Sequence, residues 1–500
     1  MSLISTEFLL FVLTAVTGYY LIPKKYQWIW LLAFSYIYYA SAGVRLVFFL
    51  VYTTVTAYAA GRLIERTEEK QKKKGILVGC LLLNFGMLSV LKYTNFVIDN
   101  LNKIFHMNLS FWTMLLPLGI SFYIFQAMGY ILDVYWGRCK AERNLFRFAL
   151  FVSFFPQILQ GPIGRYHRLS ERLYEEHVFH LRRIQYGLQL MLWGFFKKLV
   201  LADRAAVLVN QVSANHMEYT GVTVLAAVLM YSIQLYMDFS GGMNVVEGVA
   251  ELFGIELDRN FKRPYFAVSI TDFWHRWHIT LGTWMKDYVF YPVSLSRWMG
   301  RFGKWSKAVF GKKTGRLIPI SLANVIVFLL VGVWHGAAWK FIVYGLYNGL
   351  LIAAGSLLAP VYQKEKKRFH INDGSKGWRL WQISRTFILV NISWYFDIAP
   401  DLAGAFQMMK NTMTDFRFSA FWDGSLMAMG LDRLDYIILF LGCMVVFIVS
   451  ALQERGVKIR ETIGSKPMVL RWLLYGILVF GTPMFGHVMA TAGGFIYAQF

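Results

Sequence analysis

The chain has 500 residues, 57% hydrophobic and only 16% charged, with a formal net charge of +22 and three cysteines. That composition excludes a set of soluble domains and a disulfide framework, and it describes a polytopic membrane protein. In a soluble chain the basic excess would suggest nucleic acid, but here it falls in short loops between apolar runs, as the positive-inside tendency requires.

Met1–Ile22 is apolar and its lysines, Lys24 and Lys25, follow it. This is the reverse of a cleavable secretory signal, so the segment is expected to be a first span with an external N-terminus. Runs near Thr6–Ile22, Tyr26–Ala42 and Val44–Leu63 lead to the charged loop Glu65–Lys74, and spans near Ile76–Phe96 and Trp112–Trp136 follow. Phe146–Leu159 is apolar but too short to cross, and it is bracketed by basic residues on both sides. A re-entrant segment turning at Pro156 is expected, with its backbone buried in protein or lining a cavity.

Further spans are expected at Ile184–Leu201, despite Lys197 and Lys198, and at Val222–Asp238. Phe266–Ser296 is aromatic but carries Asp272, His275, Arg276, His278, Lys286 and Asp287, so it should be interfacial or buried within the bundle. After the basic loop Arg301–Arg316 and the run Leu317–Leu330, spans are expected near Trp339–Leu358, Leu380–Ile398, Tyr436–Ala451 and Val469–Val488. The whole chain, residues 1–500, is then one integral-membrane domain of about 11 to 13 spans. Both termini and Ala399–Asp432 would be external, and the basic loops, including Gln363–Phe369 and Glu454–Lys466, internal. Cys80 and Cys443 lie in apolar runs and Cys139 in a basic loop, where packing or lipidation explains them better than catalysis.

Two places carry chemistry. His335, in Val333-Trp334-His335-Gly336, stands between apolar runs, and an ionisable residue at membrane depth marks a pathway or a reactive centre by default. Imidazole is also suited to proton transfer near neutral pH. The plain alternative is a helix-end histidine bonded to a carbonyl. The second place is Phe273-Trp274-His275-Arg276-Trp277-His278. On a helix, His275 and His278 would share one face with Arg276 to the side. No carboxylate or thiolate set accompanies them, so no metal is expected, and an interfacial aromatic and basic belt is the competing reading. Asp238, at the end of an apolar run, could orient a histidine, pair with Arg263 or cap the next helix. No Gly-x-Ser-x-Gly elbow is present.

Several blocks then carry a resemblance. They are Leu118–Phe122 with Phe125-Gln126 and Asp133–Tyr135; Phe155–Gln157 with Gly161–Ile163 and Arg165-Tyr166; and Asp238–Gly241. Asn260–Tyr265, Phe273–His278 with Asp287-Tyr288, Trp334–Gly336 and Phe495–Tyr497 complete the set. In this order the chain resembles the membrane-bound O-acyltransferases, in the bacterial branch of alginate O-acetyltransferase and teichoic acid D-alanyl transferase. The resemblance implies an all-α ring of helices, with re-entrant and interfacial segments, around a thinned central channel. A cytoplasmic cavity would admit the acyl donor and an external funnel the acceptor. By motif, His335 takes the place of the family's catalytic histidine and His278 that of its second signature residue. Asp238, Trp334, Arg276 and Asn260 are candidate supporting residues, and no cofactor-binding residue is assigned.

The expected function is transfer of an acyl group, foremost acetyl, from a cytoplasmic donor across the membrane for O-acetylation of an extracellular polysaccharide. No cofactor is held permanently; acetyl-CoA or an acyl-carrier thioester is the donor substrate. Expected partners are an exported SGNH-like acetyltransferase or the glycan itself, together with membrane lipids, in the inner or plasma membrane. The alternatives are D-alanyl transfer to teichoic acid from a carrier protein, and, from another class, a transporter using its histidines as a proton relay. No inverted repeat supports the last. The two imidazoles are expected within roughly 10 Å, so that both could touch one acyl group.

Overall fold

The computed structural model describes residues 1–113 and 115–487. The terminal block Phe495–Tyr497 lies outside the described residues. Every regular element among the described residues is a helix. Seven of these helices are long and apolar enough to cross a membrane: Val44–Arg66, Lys70–Phe105, Gly221–Leu252, Arg297–His335, Trp339–Leu357, Arg433–Glu454 and Met468–Phe485. The protein is an all-α polytopic membrane protein. Some of the other expected spans fall on shorter helices, such as Thr6–Leu21 with 16 residues and Gln27–Ala40 with 14, while Leu380–Ile398 lies within the 23-residue helix Lys376–Ile398. A straight crossing takes about 20 residues.

The contacts divide the chain into two compact units. Among the described residues, one comprises 1–113, 115–200, 237–258 and 458–487, and the other 201–236 and 259–457. The first unit contains α1 (Thr6–Leu21), α2 (Gln27–Ala40), α3 (Val47–Arg66), α4 (Lys70–Phe105), α5 (Ile120–Tyr135), α6 (Leu145–Ser153), α7 (Tyr166–Tyr174) and α8 (Leu181–Phe195). Asn144 starts α6 by accepting the backbone N–H groups of Phe146 and Arg147, which is the usual N-cap device. The helix ends at Ser153 and the chain turns over residues 155–160, with every residue from 148 to 166 buried. This is the short helix and turn expected at Pro156, with its irregular backbone enclosed in protein as buried polar groups demand.

Two motif blocks of this unit, Leu118–Phe122 with Gln126 and Phe155–Gln157, meet there. Gly119 has φ +70°, and a Cβ on it would lie 2.2 Å from the Ile158 carbonyl oxygen, so no side chain fits. Gln126 donates to the Phe151 carbonyl and accepts from Gln157 Nε2 at 3.0 Å.

The second unit contains α9 (Asp203–Ala214), the first half of α10 (Gly221–Leu252), α11 (Ile270–Arg276), α12 (Ile279–Met285), α13 (Tyr291–Ser294), α14 (Arg297–His335), α15 (Trp339–Leu357), α16 (Ala359–Arg368), α17 (Lys376–Ile398), α18 (Leu402–Met413) and α19 (Arg433–Glu454). The stretch expected as a basic loop, Arg301–Arg316, is helical. Ser296 caps it by accepting from Met299 N, and Trp298, Phe302 and Trp305 stack along one face. A break at Gly311 (φ +76°, ψ 166°) turns the helix toward His335. Lysine and arginine are good helix formers, so basic composition alone does not mark a loop.

The hairpin α14–α15 positions the candidate site. A Cβ on Gly332 would meet the Phe341 carbonyl oxygen at 2.3 Å, and one on Gly345 the Phe328 carbonyl oxygen at 2.3 Å. The backbones therefore touch, as small residues allow in apolar surroundings where no hydrophobic drive presses helices together.

Candidate active site

His278 is built from the loop upward. Helix α11 stops at Arg276, Trp277 is extended, and His278 takes a left-handed conformation (φ 46°, ψ 52°) before α12 begins at Ile279. Such a conformation costs a non-glycine residue energy and persists only where its surroundings over-determine it. Lys262 N donates to the Arg276 carbonyl at 2.9 Å and Ile279 N to the Asn260 carbonyl at 3.0 Å, clamping the turn on both sides. The wholly buried Asn260 adds a third tie: its Oδ1 accepts from Thr280 N at 3.0 Å and Thr280 Oγ1 at 2.9 Å.

Because Asn260 Oδ1 takes a backbone N–H, it is an acceptor, and the His278 Nδ1 lying 3.3 Å away must carry the proton. Burial, with the neighbouring His335 adding to it, pushes the His278 pKa down to about 3. The imidazole is thus neutral near pH 7, with its lone pair on Nε2. The charged members of the block stand behind it. Arg276 binds Asp272 at 2.9 Å and Glu454 at 3.2 Å, and Glu454 also takes Arg263 at 2.5 Å and Arg379 at 3.6 Å.

His335 is the last residue of α14 and is 4% exposed. Its ring lies 5.1 Å from Trp334, 5.2 Å from Tyr344 and 6.3 Å from Phe341, centroid to centroid. A Cβ on Gly336 would strike the Phe341 ring at 2.4 Å, so glycine after the histidine is what lets Phe341 close over it. The Trp334 indole also packs 5.7 Å from His278. One indole is therefore flanked by both imidazoles.

Other expectations change. His275 is exposed whereas His278 is buried, and the helix ends between them, so they do not share a helix face. Among the described residues no group of three or more histidine, cysteine or acidic side chains could hold a metal. Asp238 does not end its helix, because α10 continues to Leu252, and Arg263 has Glu454 as its carboxylate. Asp238 instead meets Lys198 at 2.6 Å, both buried, within the first unit.

Sequence reasoning missed Tyr344, Asn348 and Thr280. Asn348, wholly buried, accepts from Trp274 Nε1 at 3.3 Å and ties α11 to α15. An asparagine within the apolar run Phe341–Leu358 was the available signal.

Residues 141–305 match the model of the membrane-bound O-acyltransferase family, MBOAT. The chain is similar to a probable alginate O-acetylase of Azotobacter vinelandii, 33% identical over 418 residues, which is 81% of this chain and 76% of that protein. It is 30% identical to a peptidoglycan O-acetyltransferase of Helicobacter pylori over 80% of this chain and 75% of that one. It is also 30% identical to a teichoic acid D-alanyltransferase of Bacillus subtilis, over 56% of this chain and 67% of that one. With its helical architecture and these similarities, the chain belongs to the membrane-bound O-acyltransferase family and is an O-acyltransferase.

Proposed function

We propose that the protein passes an acetyl group from a cytoplasmic thioester donor, acetyl-CoA foremost, toward O-acetylation of an extracellular polysaccharide in the cell envelope. The observation that carries the reading is the pair of buried imidazoles flanking Trp334. Acyl transfer needs a base for the acceptor hydroxyl and control of the reacting carbonyl.

His335 is assigned the base. It takes the hydroxyl proton as the acceptor oxygen attacks the thioester carbonyl; the carbon–sulfur bond then breaks, and the proton passes to the departing thiolate. The products are an O-acetyl ester and a free thiol. His278, held neutral by burial with its proton on Nδ1, is a poor base and is assigned to positioning the reacting groups beside Trp334, leaving the hydroxyl proton to His335. Asn260 fixes that tautomer, and Arg276 with Asp272 and Glu454 braces the turn. Trp334 holds the spacing between the two rings.

Acetyl transfer is preferred over D-alanyl transfer because the relatives named as O-acetylases and O-acetyltransferases match about 80% of this chain, against 56% for the D-alanyltransferase. An exported SGNH-like acetyltransferase is the proposed partner where the glycan is not acylated directly. The membrane is proposed to be the inner or plasma membrane, with both termini outside.

The test is acetyl transfer from labelled acetyl-CoA in membranes containing His335→Ala at normal abundance. A loss of roughly 10²–10⁴ in rate is expected for removal of one general base. Near-normal acetylation by the inserted variant would overturn the assignment.

A further inference from the structure

The first unit carries a groove that the reaction does not use. It encloses about 630 Å³ and runs between α2 and α3 over the face of α6, walled by Trp28, Leu32, Tyr36, Val51, Val55 and Phe146. That volume lies within the roughly 300–1,000 Å³ typical of small-ligand sites. Its walls are almost wholly apolar, and Phe146 leaves 63% of its surface open on its rim.

One end of the groove is cationic. Arg147 follows Phe146 directly, and its guanidinium is held between the rings of Trp28 at 5.6 Å and Tyr174 at 5.1 Å. Among the described residues, its Nε is buried and meets no hydrogen-bond acceptor. Arg143, exposed, is anchored at the same end, where its carbonyl accepts from Tyr58 one turn beyond Val55. Lys24 and Lys25 immediately precede α2, whose first turn supplies Trp28. The neighbouring acid, Glu142, is engaged: its carboxylate accepts from the Tyr166 hydroxyl and from the backbone N–H groups of Arg143 and Asn144. A buried guanidinium N–H without an acceptor is costly unless something anionic reaches it.

We infer that this groove binds an anionic phospholipid of the bilayer, one acyl chain lying along α2 and α3 and the phosphate meeting Arg147 and Arg143. The apolar walls suit a hydrocarbon chain, and guanidinium with phosphate is the favoured charge-assisted pairing. Aromatic rings beside the cations belong at headgroup level, where one end of a side chain is apolar and the other wet. The inference does not depend on the donor or acceptor of the transfer reaction.

Native mass spectrometry of the full, detergent-purified chain tests it, titrating phosphatidylglycerol and phosphatidylcholine of identical chains. Phosphatidylglycerol should be retained preferentially, and Arg143→Gln and Arg147→Gln should each weaken it by about fivefold, with phosphatidylcholine unchanged. Ala33→Phe, on an exposed lining position, should reduce both lipids while the helical circular dichroism stays that of the wild type. Equal retention of the two lipids by the unaltered protein overturns the inference, as does wild-type binding by a folded Ala33→Phe variant.

Discussion

Replacing Asn260 by alanine isolates what holds His278 in place. The single Oδ1 serves both the backbone N–H and the hydroxyl of Thr280, a residue that is itself 7% exposed. Truncation strands these two buried donors and the His278 Nδ1–H, at about 1–3 kcal/mol each, so a destabilisation of at least about 3 kcal/mol is expected. Thr280→Val removes one of those donors together with its bond and should cost about 1 kcal/mol alone. In the double variant the hydroxyl is gone and only the amide and the His278 N–H are stranded, so its cost should fall short of the sum of the singles by about 1 kcal/mol. Unfolding in mixed micelles gives the four free energies of the cycle. Because the His278 tautomer also rests on Asn260, kcat for acyl transfer should fall by up to about 10²-fold with KM little changed. Additive free energies, within about 0.5 kcal/mol, would refute the claim that one oxygen satisfies both donors. An unaltered kcat would refute its role in orienting His278.

Further outcomes follow from the same geometry. Gly345→Leu should abolish folded yield or transfer by forcing α15 from α14, since a Cβ there meets the Phe328 carbonyl oxygen at 2.3 Å, whereas Gly355→Leu on the same helix meets nothing within 4 Å and should be tolerated; detergent-extracted yield separates the two. For His278, the folded pKa of about 3 lies below the ordinary value of 6.5, so between these values the unfolded chain binds a proton that the folded chain does not. Stability should therefore fall as pH drops through that window, by up to about 1.4 kcal/mol per pH unit, and be flat above it; unfolding of His278→Asn across pH 4–7 should lack this contribution. Glu454→Gln should leave Arg263, Arg276 and Arg379 without their shared charge and cost about 3 kcal/mol, read from the unfolding midpoint. A cysteine at position 72 in a cysteine-free background should react with an impermeant reagent only after the membrane is opened; labelling in intact cells would reverse the proposed topology.

Composition and hydropathy alone determined that this is a helical membrane protein, because long apolar runs can satisfy their backbone in lipid only as helices or closed barrels and these runs have helical length. The order of motif blocks carried the family, and His335 stood out as a candidate because an ionisable side chain between apolar runs is costly without a use. The short helix turning at Pro156 could also be read, from a run too brief to cross. Other features required the tertiary structure. The spacing of His275 and His278 suggested one helix face, yet the ties of Asn260 and Lys262 end the helix between them and turn only His278 inward. The apolar run before Asp238 suggested a helix end, while the buried Lys198 lets the helix carry a charge through its middle. The flanking of Trp334 by two imidazoles about sixty residues apart in sequence depends on contacts between distant segments, the turn between α11 and α12 meeting the end of α14 while Trp274 ties α11 to α15. Local pattern records which side chains avoid water; it does not record which of them meet, because that is decided by close packing among helices whose separations in sequence are unrelated to their separations in space.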